Sequence, residues 1–541
     1  MATSGEAASA ILSGTRDTLP AIPVPPVAPG WFVRVQRAFI AAASNAFVAA
    51  GVLLVIAGIV YHPALNRVFA ADQLWYFAEL KGDRSLGAGL AHYDYAASRQ
   101  YWKGDDLLFR PLLFVWLALA NHLFAYHHVW WNVATLGIHV MVSWSLFRLL
   151  QTIAPSPLAL ASTVLFLVLK PSMELPLWNH LGGYLLACWF FLVGVRAFVR
   201  AWRDPSRQRA YLLFAASFTA AALSYEAMVP AAAVGGMLLA VRLLGARRLS
   251  IARVALVLAP VTIFCVLYAF HAGRVSQLDY VDRADGRSLF AAANALNTIG
   301  VMWRAVLTWT RELVMPTALT LETSPFGRFG KSYAFSLASP AQALNAAAVF
   351  LAAIVAGSAI SWRRIHEHAA LVALLTVTMA AYVFLIAFGR STTEVAGVSY
   401  YAYVFAIVAG LLLYSALDVS RFVGWRGWSA AIAMLAMVFL HARGSLETAR
   451  HVEQVNHYAS LYLTRVIGFV DLHRDEPDFT FSIEDHPEAV DPTVTLLVGY
   501  ANRPGAPTEY VRASSILFAP YLVADRPKYL LNASAERVLS P

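Results

Sequence analysis

Residues 69–73 read Phe-Ala-Ala-Asp-Gln, residues 109–112 read Phe-Arg-Pro-Leu, and residues 127–132 read His-His-Val-Trp-Trp-Asn. The first follows a long apolar run directly, and the other two bracket a second. An acid at the end of an apolar run, then a polar aromatic loop, then an Arg-Pro helix start implies a membrane-embedded chain that handles something polar at one surface.

The composition agrees. Of 541 residues, 59% are hydrophobic and only 13% charged, and the mean hydropathy is +0.58. Soluble domains carry roughly 25% charged residues. Too little polar surface remains for a water-soluble chain of this length. The apolar runs are continuous and Ala/Leu-rich, which excludes the alternating pattern of a β-barrel. The net charge of +9 is spread in short basic clusters between apolar runs, so it reads as topology and not as a nucleic-acid surface. Cys188 and Cys265 both sit inside apolar runs and read as packing residues.

Eleven spans are expected, near 41–61, 129–149, 156–170, 181–200, 210–225, 228–244, 253–272, 342–361, 369–389, 398–417 and 427–441. Arginine clusters at 196–209, 242–253, 363–364 and 421–426 mark cytoplasmic loops. Counting from them puts 62–128 outside, so the run 107–125 is expected to lie in the interface or re-enter without crossing. The same count puts 171–180, 226–228, 273–341, 390–397 and everything after 441 outside. The unusual polar residues Asp72, Arg110, Glu174, His180, Glu226 and Arg390 then gather at one face.

The expected fold class is an all-α polytopic membrane protein with a small α/β domain at its carboxyl end. Residues 1–38, Ala/Pro/Ser-rich and without a cleavable signal pattern, read as a disordered cytoplasmic tail. Residues 39–445 form the transmembrane domain, with outer loops 62–128 and 273–341. Within the second loop, 290–320 reads as an amphipathic helix with Trp303, Arg304, Trp309 and Arg311 suited to the interface, and 321–333 as a mobile loop. Residues 446–541 form the small outer domain, with a polar helix near 446–470 and β-like runs at 479–483, 494–498 and 515–523.

Each candidate residue has two readings. Asp72 is either a general base or an interfacial acid capping the next helix. Arg110 either clamps a phosphate with its planar fork or snorkels. Glu174, in the junction that ends at His180, is costly near membrane depth unless paired or solvated. The same holds for Glu226 at the next junction. Arg390 either holds a lipid phosphate or is an idle loop residue. Tyr400, Tyr401 and Tyr403 open a span, where an aromatic belt is the bland reading. His127, His128, His139 and His180 form no familiar metal spacing, so no metal site is expected. There is no Gly-rich phosphate loop and no serine-nucleophile elbow.

In order, Asp72, Arg110-Pro111-Leu112, His128 to Asn132 to His139, Pro171 to Glu174 to Trp178, Tyr225-Glu226 and Tyr400 to Tyr403 resemble the type-C (GT-C fold) membrane glycosyltransferases. They are most similar to the branch of lipid-phosphate-mannose O-mannosyltransferases. Residues 60–235 and 385–420 carry the likeness. The departures are Gln73 where that branch has a second acid, Tyr225 where it has Lys, and Tyr400 where it has Arg.

The resemblance implies hexosyl or pentosyl transfer from a polyprenyl-phosphate sugar, with inversion, to a glycan, lipid or protein acceptor. Asp72 would be the catalytic base and Arg110 and Arg390 would bind the donor phosphate. Glu174, Glu226, His180 and Tyr401 would bind acceptor or sugar. No cofactor is expected beyond the donor, and a divalent metal is not indicated. The Ala/Leu/Arg bias points to a bacterial inner membrane, with the site facing outside. The alternatives are a lipid-linked oligosaccharide ligase or polymerase, a flippase or transporter, or a structural membrane subunit.

Overall fold

The structure is a computed structural model that describes residues 44–67, 85–92, 109–177, 179–276, 292–314, 340–389, 401–422, 424–483, 528–531 and 537–539. All of these fall in one compact unit. Sixteen helices are described: α1 (Ala46–Tyr61), α2 (Leu86–His92), α3 (Pro111–Phe124), α4 (His128–Ile153), α5 (Pro157–Val168), α6 (Lys170–Leu177), α7 (Gly182–Arg203) and α8 (Gln208–Ser224). They continue as α9 (Val229–Gly245), α10 (Ile251–Ser276), α11 (Ala292–Val314), α12 (Pro340–Ala359), α13 (Trp362–Glu367), α14 (Ala369–Gly389), α15 (Ala402–Ala416) and α16 (Gly424–His473). Three short strands, β1 (Phe481–Ile483), β2 (Tyr529–Leu531) and β3 (Arg537–Leu539), form a sheet in that order. The first pair is parallel and the second antiparallel.

Among the described residues, each of the eleven stretches expected to span holds a helix over most of its length. Among the described residues, seven helices are long and apolar enough to cross a membrane, and four further apolar helices are shorter. Their outward faces carry Phe47, Val55, Ile59, Met237, Val241, Phe270, Phe350 and Phe439, all exposed. In water these faces would aggregate, whereas in lipid they need no cover. The chain is therefore an integral membrane protein.

Helix starts follow local chemistry. The Asn45 side chain accepts from the amides of Phe47 and Val48 and caps α1. Ser156 caps α5, whose first residue is Pro157. Pro111 opens α3, where its missing N–H is no loss. At 14 residues, α3 is about 21 Å long. That is short of the ~30 Å hydrocarbon core.

The main core joins α4, α5, α7, α8, α9, α14 and α15 around Phe147, Phe191, Phe198, Phe214, Phe218 and Tyr382. The close seat of α3 on α7 depends on glycine. A Cβ on Gly183 would lie 2.9 Å from the Leu113 Cα, and one on Gly182 would strike the Trp116 ring. Two glycines therefore let the start of α3 lie against the start of α7.

Two expectations are corrected. Trp309 is fully buried against Tyr382 and Phe405 and is a core residue, not an interfacial anchor. Trp303, on the same helix, is 65% exposed. The span near 427–441 and the polar helix near 446–470 are also one element, the 50-residue α16. The expected start of the outer domain at 446 falls within it. The far end of α16 meets the α3–α4 turn, where the Tyr126 hydroxyl donates to Asp471 at 2.5 Å. Strand β1 lies within the run expected at 479–483. The runs at 494–498 and 515–523 are outside the described residues, as is the loop 321–333.

Candidate functional site

Arg110 is the last residue before α3. Tyr184 lies in the first turn of α7. Tyr225 is extended, with φ −157 and ψ 114, between α8 and the short 3-10 turn Glu226–Met228 that leads into α9. These are three helix ends at one end of the bundle, and the side chains converge there. The Arg110 Nε donates to Glu226 Oε2 at 2.6 Å and Nη2 donates to Oε1 at 2.5 Å. The third contact runs from Nη1 to the Tyr184 hydroxyl at 2.5 Å. The guanidinium also lies over the rings of Tyr184 and Tyr225, 5.1 and 4.9 Å from their centroids.

This is a fork-to-fork ion pair whose guanidinium rests against two neighbouring tyrosine rings. The arginine side chain is 10% exposed and the glutamate 30%. Three of the five N–H groups are used, and the carboxylate keeps an open edge. Taking such a pair out of water costs several kcal/mol per ion, so a buried pair is weak evidence of stability and fits a functional constraint better.

Behind the pair the polar chain continues into the core. The rings of Tyr184 and Tyr225 are 4.4 Å apart, and Tyr225 meets Tyr382 edge-on. The Tyr382 hydroxyl donates to the Tyr401 carbonyl at 3.0 Å. Phe109, next to Arg110 in sequence, packs against Tyr268 and His271 of α10 with ring centroids 6.1 and 5.0 Å away. Tyr268 is close enough to Glu226 for the two to interact electrostatically.

A second polar cluster fixes the start of the first outer loop. The Asn132 amide donates to the carbonyls of Leu65 and Arg67 at 2.7 and 2.8 Å and accepts from Asn179 at 2.7 Å. The Thr135 hydroxyl lies 3.0 Å from Asn179 Oδ1. Helix α4 thereby ties the chain leading towards Asp72 to the junction that carries His180. One turn further along, His139 Nδ1 is 2.7 Å from the Tyr403 hydroxyl. His139 is therefore a buried histidine with its hydrogen bonding met inside the core.

Of the expected site residues, Arg110 and Glu226 are brought together. Tyr401 is buried at the start of α15 and joined to them through Tyr382. Glu174 lies on α6 and His180 on the 3-10 turn Asn179–Leu181, and the description covers their backbone alone. Asp72, Gln73, Arg390 and Tyr400 lie outside the described residues. Among the described residues, no three His, Cys, Asp or Glu side chains converge as metal ligands would. Sequence reasoning missed Tyr184 and the role of Tyr225. The available signal was an aromatic residue at a helix end beside each candidate charge, which also describes an ordinary interfacial belt.

Searches against protein-family models and curated proteins find no match. Among solved structures, the chain is similar to the Archaeoglobus fulgidus oligosaccharyltransferase in its apo form, at 12% identity and a TM-score of 0.41, over 89% of this chain and 69% of that one. The archaeal oligosaccharyltransferase AglB with an inhibitory peptide and a dolichol-phosphate gives 12% identity and a TM-score of 0.36, covering 93% and 70%. ArnT from Cupriavidus metallidurans bound to undecaprenyl phosphate gives 12% identity and 0.36, covering 91% and 88%.

Proposed function

We propose that this chain is a membrane glycosyltransferase that moves a sugar, hexosyl or pentosyl, from a polyprenyl-phosphate-linked donor to a hydroxyl of a glycan, lipid or protein acceptor. The observation that carries the reading is the Arg110–Glu226 pair, with Arg110 buried against the rings of Tyr184 and Tyr225 at one end of an apolar bundle. A lipid-linked donor places its scissile bond at headgroup depth, which is where a membrane protein would need such a polar centre.

In the proposed step Asp72 takes the proton of the acceptor hydroxyl. The acceptor oxygen attacks the anomeric carbon from the face opposite the phosphate. The bond from that carbon to the phosphate oxygen breaks, and polyprenyl phosphate leaves with the electron pair, so the anomeric configuration inverts. Arg390, with the unused N–H groups of Arg110, meets the charge that develops on the phosphate. Glu226, Glu174, His180 and Tyr401 orient sugar and acceptor. We place this end of the bundle on the outer face of a bacterial cytoplasmic membrane, because the opposite end carries the arginine clusters.

The test is transfer of radiolabelled sugar in membranes supplied with polyprenyl-phosphate sugars. Wild type transfers, and Asp72→Asn lowers the rate at least about a hundredfold, as loss of a catalytic base does. Undiminished activity in the variant removes Asp72 from the reaction. Absence of transfer from every monophosphate donor, with well-folded protein, overturns the reading.

A further inference from the structure

Arg110 and Glu226 neutralise each other, and their contact is bidentate. The carboxylate is consequently fixed in place, and its remaining lone pairs face outward on an edge that stays accessible. Tyr268 lies within electrostatic reach of this carboxylate, and the rings of Phe109, the neighbour of Arg110 in sequence, and His271 pack against Tyr268, each ring only partly covered. A fixed carboxylate accepts hydrogen bonds from hydroxyls. Aromatic faces pack against the apolar C–H faces of a sugar ring. The charge of the pair is already balanced, so a sugar ring that brings its own charge to the carboxylate edge gains no partner there and loses its hydration.

We propose that the open edge of Glu226 and the rings of Phe109, Tyr268 and His271 form a subsite for an uncharged, hydroxyl-rich sugar ring, with Arg110 as the positioning residue that fixes and balances the carboxylate. The identity of the ligand rests on the glycosyl-transfer reading above. The selectivity rests on the pair itself. Neutral hexoses and pentoses are admitted, and amino sugars and uronic acids are disfavoured. Removing either charge inverts the bias in a defined direction. Without the carboxylate the subsite carries a cation and favours a uronic acid. Without the guanidinium it carries an anion and favours an amino sugar.

The experiment uses the full-length protein in nanodiscs and three donors on one polyprenyl phosphate: glucosyl, 2-amino-2-deoxyglucosyl and glucuronosyl. Binding is read by quenching of tryptophan fluorescence, and transfer is measured in parallel. In the wild type the glucosyl donor binds about tenfold more tightly than either charged donor, between the limits expected for one unbalanced charge in water and near a protein surface. Glu226→Gln reverses the order of the glucosyl and glucuronosyl donors. Arg110→Lys keeps the cation but loses the fork, so it weakens glucosyl binding and keeps the neutral preference.

Equal binding of all three donors by the wild type, or tighter binding of a charged one, overturns the subsite even where transfer occurs. The neutral preference without transfer to any acceptor supports the subsite and overturns the transferase reading. Folded protein that binds none of the three overturns both. The wild-type comparison needs no variant to fold.

Discussion

The two ends of the helical bundle use arginine in opposite ways. At one end, Arg203 donates to the Thr152 carbonyl at 2.7 Å, Arg196 to the Thr152 hydroxyl at 3.2 Å and Arg242 to the Trp202 carbonyl at 3.1 Å. Arg421 lies 3.3 Å from the Ile360 carbonyl. Arg203, Arg242 and Arg421 cap carbonyls that helix ends leave unpaired, and all four side chains keep part of their length in solvent. At the other end, Arg110 is buried, meets a carboxylate through two N–H groups of its fork and rests against two tyrosine rings. The first set is what any polytopic helix bundle needs. The second is not, because an apolar residue of similar size would pack there without desolvating two charges.

The largest expected contrast is in stability. Arg110→Ala leaves Glu226 without its partner. Breaking a buried pair typically costs about 3–5 kcal/mol, and the partial exposure of Glu226 puts this one near the lower end, at about 3 kcal/mol. Arg203→Ala is expected to cost about 0.5 kcal/mol, as at an ordinary surface position. Thermal unfolding of both variants in the same detergent checks the order, and equal shifts would dissolve the distinction between the two ends.

A smaller effect is expected beyond the membrane helices. Glu476 accepts from His473 at 2.6 Å, Tyr529 at 2.7 Å and Lys528 at 2.8 Å, and so ties the end of α16 to β2. These contacts, led by Lys528, pull its carboxyl down to about 2. A carboxyl lowered on folding contributes stability that is fully present above its unfolded value of about 4.3 and is lost as pH falls towards the folded value. Amide exchange in β2 should therefore be flat from pH 7 to about pH 5, once corrected for intrinsic rates, and then rise as the pH falls from about 4 towards 2. Glu476→Gln should abolish that rise. A rise centred near neutral pH would assign the tie to another group.

Much of this architecture was legible in advance because membrane helices announce themselves by length and apolarity. The Arg110-Pro111 helix start was legible because proline has a physical reason to sit there. The continuity of α16 was not, since composition changes near 446 while helix formation does not. Pairs such as Arg443 and Glu447, 2.7 Å apart, carry the helix through the polar stretch. Trp303 and Trp309 read alike as interfacial aromatics, and only the packing of α11 on α14 and α15 tells them apart.

The pairing of Arg110 with Glu226, 116 positions apart, was visible only as two separate candidates. Nothing local in either segment specifies its partner. It takes Gly182 and Gly183 to let α3 approach α7, and the extended Tyr225 to turn Glu226 towards it.

The measurement that bears most directly on the two ends is sugar transfer from a neutral polyprenyl-phosphate donor by wild type, Glu226→Gln and Arg203→Ala at matched protein levels. Loss of a charged hydrogen bond to the sugar should lower transfer by about 10- to 100-fold in Glu226→Gln. Arg203→Ala should stay within about twofold of wild type, in keeping with a surface cap. Full activity in Glu226→Gln, or an equal loss in both variants, would contradict a catalytic centre at the Arg110–Glu226 end.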